Sequence, residues 1–396
     1  MSTLKVVIFG AGLMGSTIAR DLVKSKEVQE VTLCDVDVSR LRAARRAEIS
    51  PKLRLKKHDV QHRIQTIELL RRFDVGIGAL PHDLCEYPIK ATLAAAVDYV
   101  DLIYGWRYEP SKISLAAKRR GITIVPACGL APGLSNVLAF AAVDQLDSVH
   151  EVHIKTGGIP ERPRPPLNYR IVFSFEAVLE EYLRKAKIVR NGRIIDVEAL
   201  SGLEEITFPQ PVGRCECFYT DGLSTLVQTI RHVKNMDEKT IRWPGHIAQI
   251  RTLIECGFLE LKPITHNRHK IVPRKFTEQI LTDRLSLGNE KDLTLLRVDV
   301  IGKRCGKVVH NRYDMIDHYD SRNNITSMAR TTSYPCAAAA LLLGANRIDA
   351  TGLIPPEIAF DAENRDWLLS YLVNRGIRIE NRLEYGPFNQ QSVSSR

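Results

Sequence analysis

Lys5-Val6-Val7-Ile8-Phe9-Gly10-Ala11-Gly12-Leu13-Met14-Gly15 stands near the start of the 396-residue chain. A short apolar run that ends in glycines reads as a buried parallel strand. Leu13, Ile18, Leu22 and Val23 follow at helical spacing. Gly10, Gly12 and Gly15 form G-x-G-x-x-G between that strand and that helix, the context in which the motif binds a dinucleotide. Gly10 permits the tight turn, Gly12 lets backbone approach a pyrophosphate, and Gly15 allows close helix–strand packing. The helix N-terminus offers free N–H groups to an anion. Leu13 and Met14 complete the turn. Asp35 ends the next strand, Val31–Asp35, where a carboxylate accepts hydrogen bonds from a ribose 2′-OH and repels a 2′-phosphate. This favours NAD over NADP, with Arg40 and Arg42 close enough to soften the preference.

Outward from this turn, strands are expected at 53–58, 74–79, 99–102 and 122–126. Helices fall near 38–46, 64–70, 85–96 and 110–119. Such alternation with short connections implies a parallel sheet covered on both faces, a Rossmann domain over residues 1–135. Ligands sit at the carboxyl ends of such strands. That placement nominates Asp59 and Val60 for the adenine edge, and Ala79, Leu80 and Pro81 for the nicotinamide ribose. Asp101, Leu102 and Cys128 should face the nicotinamide.

The pattern changes after residue 135. Residues 150–155 and 169–175 read as strands, separated by a proline-rich loop. Asn191-Gly192 between two apolar pairs signals a hairpin. Further strands are expected near 215–220, 238–243, 293–301 and 307–318. Residues 136–330 therefore read as an α+β domain with a mostly antiparallel sheet. The apolar helix at 336–343 opens a last segment, and the polar tail Phe388–Arg396 is expected to fray.

Hydrophobic residues make up 44% and charged residues 26%, which excludes a disordered chain. No apolar stretch approaches the roughly 20 residues that span a bilayer. The opening Met1-Ser2-Thr3-Leu4-Lys5 has the pattern of neither a secretory nor a transit leader, so a cytoplasmic protein is expected. The eight cysteines include no C-x-x-C and no finger-like spacing; reduced thiols and no metal site are expected. Net charge is +10, with 21 Lys and Arg against 16 Asp and Glu in residues 1–150 and 35 against 30 in the rest. The excess is spread evenly and carries no nucleic-acid motif, so neither nucleic acid nor membrane is an expected partner.

Longer motifs narrow the reading. Gly78-Ala79-Leu80-Pro81 and Cys128-Gly129-Leu130-Ala131-Pro132-Gly133-Leu134-Ser135-Asn136 resemble the saccharopine dehydrogenase/reductase family. Gly157-Gly158-Ile159-Pro160, Pro165-Pro166-Leu167-Asn168-Tyr169, Ile188-Val189-Arg190-Asn191-Gly192 and Thr240-Ile241-Arg242-Trp243-Pro244-Gly245-His246 resemble its L-lysine 6-dehydrogenase branch. The resemblance runs in order from about residue 4 to 357. It implies a Rossmann domain completed by residues of about 331–396, a second substrate and oligomerisation domain, and a homodimer or higher homo-oligomer. The implied reaction is NAD-dependent oxidative deamination of the lysine 6-amino group. NAD takes hydride from Cε, water hydrolyses the imine to release ammonia, and the product, 2-aminoadipate 6-semialdehyde, cyclises to 1-piperideine 6-carboxylate.

That chemistry asks for a carboxylate receptor, an ammonium receptor and a proton-transfer group. Arg242 suits the substrate carboxylate, or forms a structural ion pair. Asp221 suits the α-ammonium, or caps a turn. The related reductases tend to carry an Arg near Asp221, and none stands here. Asp101 and Cys128 match positions that line the family's reaction site. Asp101 can accept a proton from the amine or orient water, and Cys128 is a wall rather than a nucleophile. His82, just after Pro81, is a candidate to reach the pocket too, and His246 is a second proton-transfer candidate. Tyr169 either closes over the substrate or packs in the core. Three alternatives remain: reductive condensation of an amine with a semialdehyde, of the saccharopine reductase or carboxynorspermidine type; a non-catalytic dinucleotide-binding regulator; and a nucleic-acid protein.

Overall fold

The computed structural model describes residues 4–105 and 108–386. The chain divides into two units, Met1–Ala141 with Ala329–Ile377, and Ala142–Met328 with Arg378–Arg396.

In the first unit β1 (Leu4–Phe9), α1 (Leu13–Leu22), β2 (Val28–Asp35), α2 (Val38–Ala47) and β3 (Leu53–Lys57) follow in order. Then come α3 (Arg63–Leu70), β4 (Val75–Gly78), α4 (Glu86–Ala95), β5 (Asp98–Asp101), α5 (Pro110–Arg120) and β6 (Thr123–Val125). The sheet order is β3-β2-β1-β4-β5-β6, and Gly352–Leu353 adds a further strand beside β6. Every pair is parallel. Val6, Val7, Ile8 and Phe9 are all fully buried, as a strand covered on both faces requires. β1 lies between β2 and β4, so chain order reverses there and opens a crevice at the strands' carboxyl ends. The α/β Rossmann expectation matches this unit.

The second unit is an α+β unit built on a nine-stranded sheet. Its spine runs through Glu204–Thr207, Arg214–Tyr219, Asn235–Arg242, Ser148–Pro160, Asp292–Arg304, Lys307–His318 and Glu380–Tyr385. Only Asn235–Arg242 and Ser148–Pro160 pair in parallel; the rest is antiparallel. The hairpin Ala186–Arg190 with Arg193–Val197 turns at Asn191 and Gly192, with φ of 51° and 75°. Those positive values are what an Asn-Gly hairpin turn needs.

Two expectations need correction. Residues 169–175 are not a strand: only Ile171 makes an isolated bridge, to Ser286, and a helix begins at Phe175. Ser174 caps that helix by accepting the Ala177 N–H, and Phe175, Val178, Leu179 and Tyr182 bury one helical face. Nor does the whole C-terminal segment complete the Rossmann sheet. Glu380–Tyr385 instead adds an antiparallel edge to Lys307–His318. The tail Phe388–Arg396 lies outside the described residues.

Candidate active site

The turn after β1 is shaped by close approach. Gly10 has φ +103°, and a Cβ there would strike the Ala79 carbonyl; a Cβ on Gly15 would strike the Gly10 carbonyl. Ala79 N–H donates to the Phe9 carbonyl at 2.9 Å, tying the ends of β1 and β4 together. Gly12 differs, since nothing lies within 4 Å of the Cβ it lacks. Helix α1 opens at Gly12 with no side-chain cap and no acidic residue in its first turn. Open space before uncapped N–H groups fits a dinucleotide diphosphate. Leu13 is half exposed, while the Met14 carbonyl accepts the Ser333 hydroxyl at 3.0 Å.

Asp35 is 7% exposed and held at both oxygens. Oδ2 accepts the Ala11 N–H at 2.7 Å and Oδ1 the Asp37 N–H at 2.8 Å. A carboxylate has about four lone-pair sites, so capacity for ribose hydroxyls remains. Arg40 lies near, with Nη1 3.9 Å from Asp35 and Nε 3.7 Å from Asp37. Its side chain is 58% exposed. Asp59 accepts the Gln61 N–H at 2.9 Å, and Val60 beside it is buried. Leu80 is half-buried and Pro81 exposed.

At the end of β5, Asp101 is 1% exposed. Its Oδ1 accepts the Ile103 N–H at 2.8 Å, and Oδ2 has no hydrogen-bond partner among the described residues. Burial pushes the carboxyl well above the ordinary range, against the pull of the Ile103 and Leu102 N–H groups. The Asp101 carbonyl accepts the Cys128 N–H at 2.9 Å, so these two expected site residues do come together. Leu102 N–H reaches the Gly78 carbonyl at 3.2 Å. Cys128 is fully buried, its thiol facing the Pro335 carbonyl at 3.6 Å, and burial raises its pKa strongly. A thiol so protected from ionisation is a wall, not a nucleophile. The His82 carbonyl accepts the Cys85 thiol at 3.2 Å.

The second unit gathers Tyr169, Arg242 and His246. Arg242 ends its strand 1% exposed, with Nη2 3.0 Å from Glu181, Nε 3.2 Å from the Tyr182 hydroxyl and Nη1 2.9 Å from the Ile241 carbonyl. Its guanidinium lies 4.9 Å from the centre of the Tyr169 ring. Burial opposes its charge, but Tyr182, Tyr169 and Glu181 outweigh burial and hold it charged. In this arrangement Arg242 belongs to an internal ion pair and presents no free fork to a substrate carboxylate. His246 is equally enclosed: Nε2 lies 2.8 Å from the Tyr182 hydroxyl and Nδ1 2.7 Å from the Leu167 carbonyl. Burial, then Arg242, depresses its pKa to about 3, so it stays neutral and does not shuttle protons near neutral pH. Tyr169 is a fully buried core aromatic.

Asp221 stands apart from that group, 3.4 Å from both Arg184 Nε and the Lys187 N–H. Glu238 is the residue that sequence reasoning missed. It is 2% exposed, bonded by the Thr220 hydroxyl, and raised to about 8. Burial is the main cause, with Glu181, Asp221 and Asp237 adding to it and Thr220 opposing. Glu181 and Tyr182 were missed with it. The only signal was the 3–4 spacing after Ser174 that places them on a helix. Among the described residues no group of three His, Cys, Asp or Glu side chains can hold a metal, and no helix is long and apolar enough to cross a membrane.

Known proteins align along this whole arrangement. A family model described as the saccharopine dehydrogenase NADP binding domain matches residues 6–125. A second, described as the saccharopine dehydrogenase C-terminal domain, matches residues 129–377. The carboxyaminopropylagmatine dehydrogenase of Synechocystis is 24% identical over 360 residues, covering 86% of this chain and 88% of that one. The saccharopine dehydrogenase (NADP(+), L-glutamate-forming) of Saccharomyces cerevisiae is 22% identical over 453 residues, covering 95% and 98%. The mitochondrial alpha-aminoadipic semialdehyde synthase of Mus musculus is 23% identical, but the chain spans only 46% of its length. The solved apo saccharopine dehydrogenase (L-Glu forming) from Saccharomyces cerevisiae shares the fold, with a TM-score of 0.80 at 19% identity over 96% of this chain and 100% of that one.

Proposed function

The chain belongs to the saccharopine dehydrogenase family, and from that premise we propose that it oxidatively deaminates the 6-amino group of L-lysine with NAD. The products are 2-aminoadipate 6-semialdehyde and ammonia. One observation carries the choice of a cationic substrate. In the second unit Arg242 is spent on Glu181, while Glu238 feels the charges of Glu181 and Asp221 and takes a proton in place of a cation. Arg242 so engaged offers no free guanidinium fork to a second substrate carboxylate, which favours an amine substrate over a dicarboxylate one.

When bound, the nicotinamide supplies the chemistry of hydride acceptance. The chain's own residues supply position and proton control. Gly12 and the N-terminus of α1 would hold the diphosphate, and Asp35 would take the adenosine ribose hydroxyls. A fixed carboxylate at that point supports NAD, although the yeast relative is named for NADP(+). Asp101, buried at the end of β5, holds its proton near neutral pH and becomes a proton acceptor as pH rises. Turnover should therefore strengthen toward alkaline pH, where the substrate amine is also more often neutral.

A second reading has its own support, because two relatives of nearly full coverage are named for carboxyaminopropylagmatine and saccharopine. Purified protein with NAD or NADP(+) and L-lysine, saccharopine, or a semialdehyde plus an amine separates the readings. NADH formation with L-lysine alone supports deamination. Turnover only with a secondary amine, or only in the condensing direction, overturns it in favour of the second reading. Tight dinucleotide binding with no turnover of any substrate overturns both and indicates a regulator.

A further inference from the structure

Within the first unit, β4 carries glycine at two alternate positions, Gly76 and Gly78. They sit opposite Tyr99 and Asp101 of β5 in the sheet register. Tyr99 and Asp101 are two residues apart, so their side chains leave the same face of the sheet. A Cβ on Gly76 would lie 2.8 Å from Cδ2 of the Tyr99 ring. A Cβ on Gly78 would strike the Tyr99 hydroxyl and lie 2.8 Å from Oδ2 of Asp101. The two glycines thus open a slot along β4. The phenol ring lies over Gly76, and the hydroxyl reaches the same point above Gly78 as the free oxygen of Asp101.

These two oxygens share one small space without bonding each other. Both side chains are at most 1% exposed, and neither the Tyr99 hydroxyl nor Asp101 Oδ2 has a hydrogen-bond partner among the described residues. The charge of Asp101 reaches the hydroxyls of Tyr99 and Tyr108. The other ionisable groups under that influence are the thiols of Cys85 and Cys336, which burial keeps protonated. Among the described residues no cation offsets the acid. Two buried oxygens that meet above Gly78, each able to donate or accept and neither bonded to the other, match what a single buried water bridges.

We propose that Gly78 and Tyr99 border a binding site for one water molecule on Oδ2 of Asp101, with Tyr99 as the positioning residue for that oxygen. The water links the acid to the Tyr99 phenol and holds the carboxyl in one rotamer. This site goes beyond the deamination reading and stands whichever substrate is used.

The test uses the full-length protein without dinucleotide, so its failure is distinct from any failure of the lysine reading. The infrared difference between wild type and Asp101→Asn near neutral pH isolates the carboxylic acid C=O stretch of Asp101. Tyr99→Phe removes one phenol and should shift that band upward, as an acid with a weaker hydrogen-bonding network vibrates. A crystal structure of the wild type should place one water within hydrogen-bonding distance of Asp101 Oδ2 and the Tyr99 hydroxyl, absent or displaced in Tyr99→Phe. An absent acid band, a band unmoved by Tyr99→Phe, or a direct bond between Asp101 and Tyr99 without the water overturns the proposal. Should Asp101→Asn not fold, the two crystal structures decide it.

Discussion

Replacing Asp35 with Asn removes one negative charge from the ribose end of the dinucleotide site and leaves a carbonyl oxygen for one of the two backbone bonds now made by Ala11 and Asp37. A 2′-phosphate at this point would bring an anion to about 4 Å from the carboxylate. Per unit charge, at an effective dielectric near 20, the repulsion is about 4 kcal/mol. Arg40 offsets part of it, because its Nη1 lies 3.9 Å from Oδ2. Its side chain is 58% exposed, so solvent screens that compensation and about 2 kcal/mol of net repulsion is a reasonable remainder. Relief of that repulsion should tighten NADPH by roughly 30-fold. In the other direction, a hydrogen bond from ribose to a charged acceptor becomes one to a neutral acceptor, weakening NADH by about 1 kcal/mol. The combined swing is about 3 kcal/mol, on the order of 100-fold in the ratio of dissociation constants.

Fluorescence titration of NADH and NADPH against wild type and Asp35→Asn, at one fixed ionic strength, measures this ratio. Added salt should shrink the phosphate part and leave the ribose part. Arg40→Ala makes the opposite prediction: it strips the carboxylate of its partial neutralisation and should weaken NADPH further, with NADH little changed. A ratio that moves less than about threefold in Asp35→Asn, or a wild type that binds NADPH more tightly than NADH, refutes the assignment of Asp35 as the discriminating group. The second outcome would make Arg40 the residue that sets the choice.

Gly12→Ala and Gly15→Ala should part company. The former adds a methyl to open space and should spare the unfolding midpoint while weakening NADH binding; the latter collides with the Gly10 carbonyl and should lower both. Equal loss of stability in the two would count against the open cradle at Gly12. Arg242→Met leaves Glu181 without its buried partner and should cost about 3–5 kcal/mol in urea unfolding; a loss under about 1 kcal/mol would mean the pair does not hold the strand to its helix. Glu238 is raised from 4.5 to about 8 on folding, so the native state binds the extra proton. Stability should be greatest below about pH 4.5 from this group and fall as pH climbs toward 8, by up to a few kcal/mol. Glu238→Gln should flatten that slope between pH 5 and 8.5 in urea midpoints, and an unchanged slope would exonerate Glu238.

What the sequence disclosed was what neighbours along the chain decide. Gly10, Gly12, Gly15 and Asp35 lie within one β-α-β unit, so spacing alone fixes their geometry. β1 announces itself as a continuous apolar run because both of its faces are buried. Asn191-Gly192 is self-contained in the same way. Residues 169–175 failed for an equally local reason: Tyr169, Phe173 and Phe175 favour a strand, but Ser174 caps a helix that starts at Phe175, and the residues before it form only the isolated Ile171 bridge.

Long-range pairing was the part no local pattern could carry. Asp101 was legible as a strand-end carboxylate, but its isolation depends on the register that sets Gly76 and Gly78 against Tyr99 and Asp101. Arg242 shows the consequence for function most sharply. Read alone, beside Trp243-Pro244-Gly245, an arginine suggests an anion receptor. Folded, its charge is matched by Glu181, 61 residues earlier in the chain. Asp221 is matched in turn by Arg184. Glu238, on the same strand as Arg242, is buried within the influence of Glu181, Asp221 and Asp237 and takes a proton instead. The residue that named an anionic ligand in the sequence is thus neutralised by the fold.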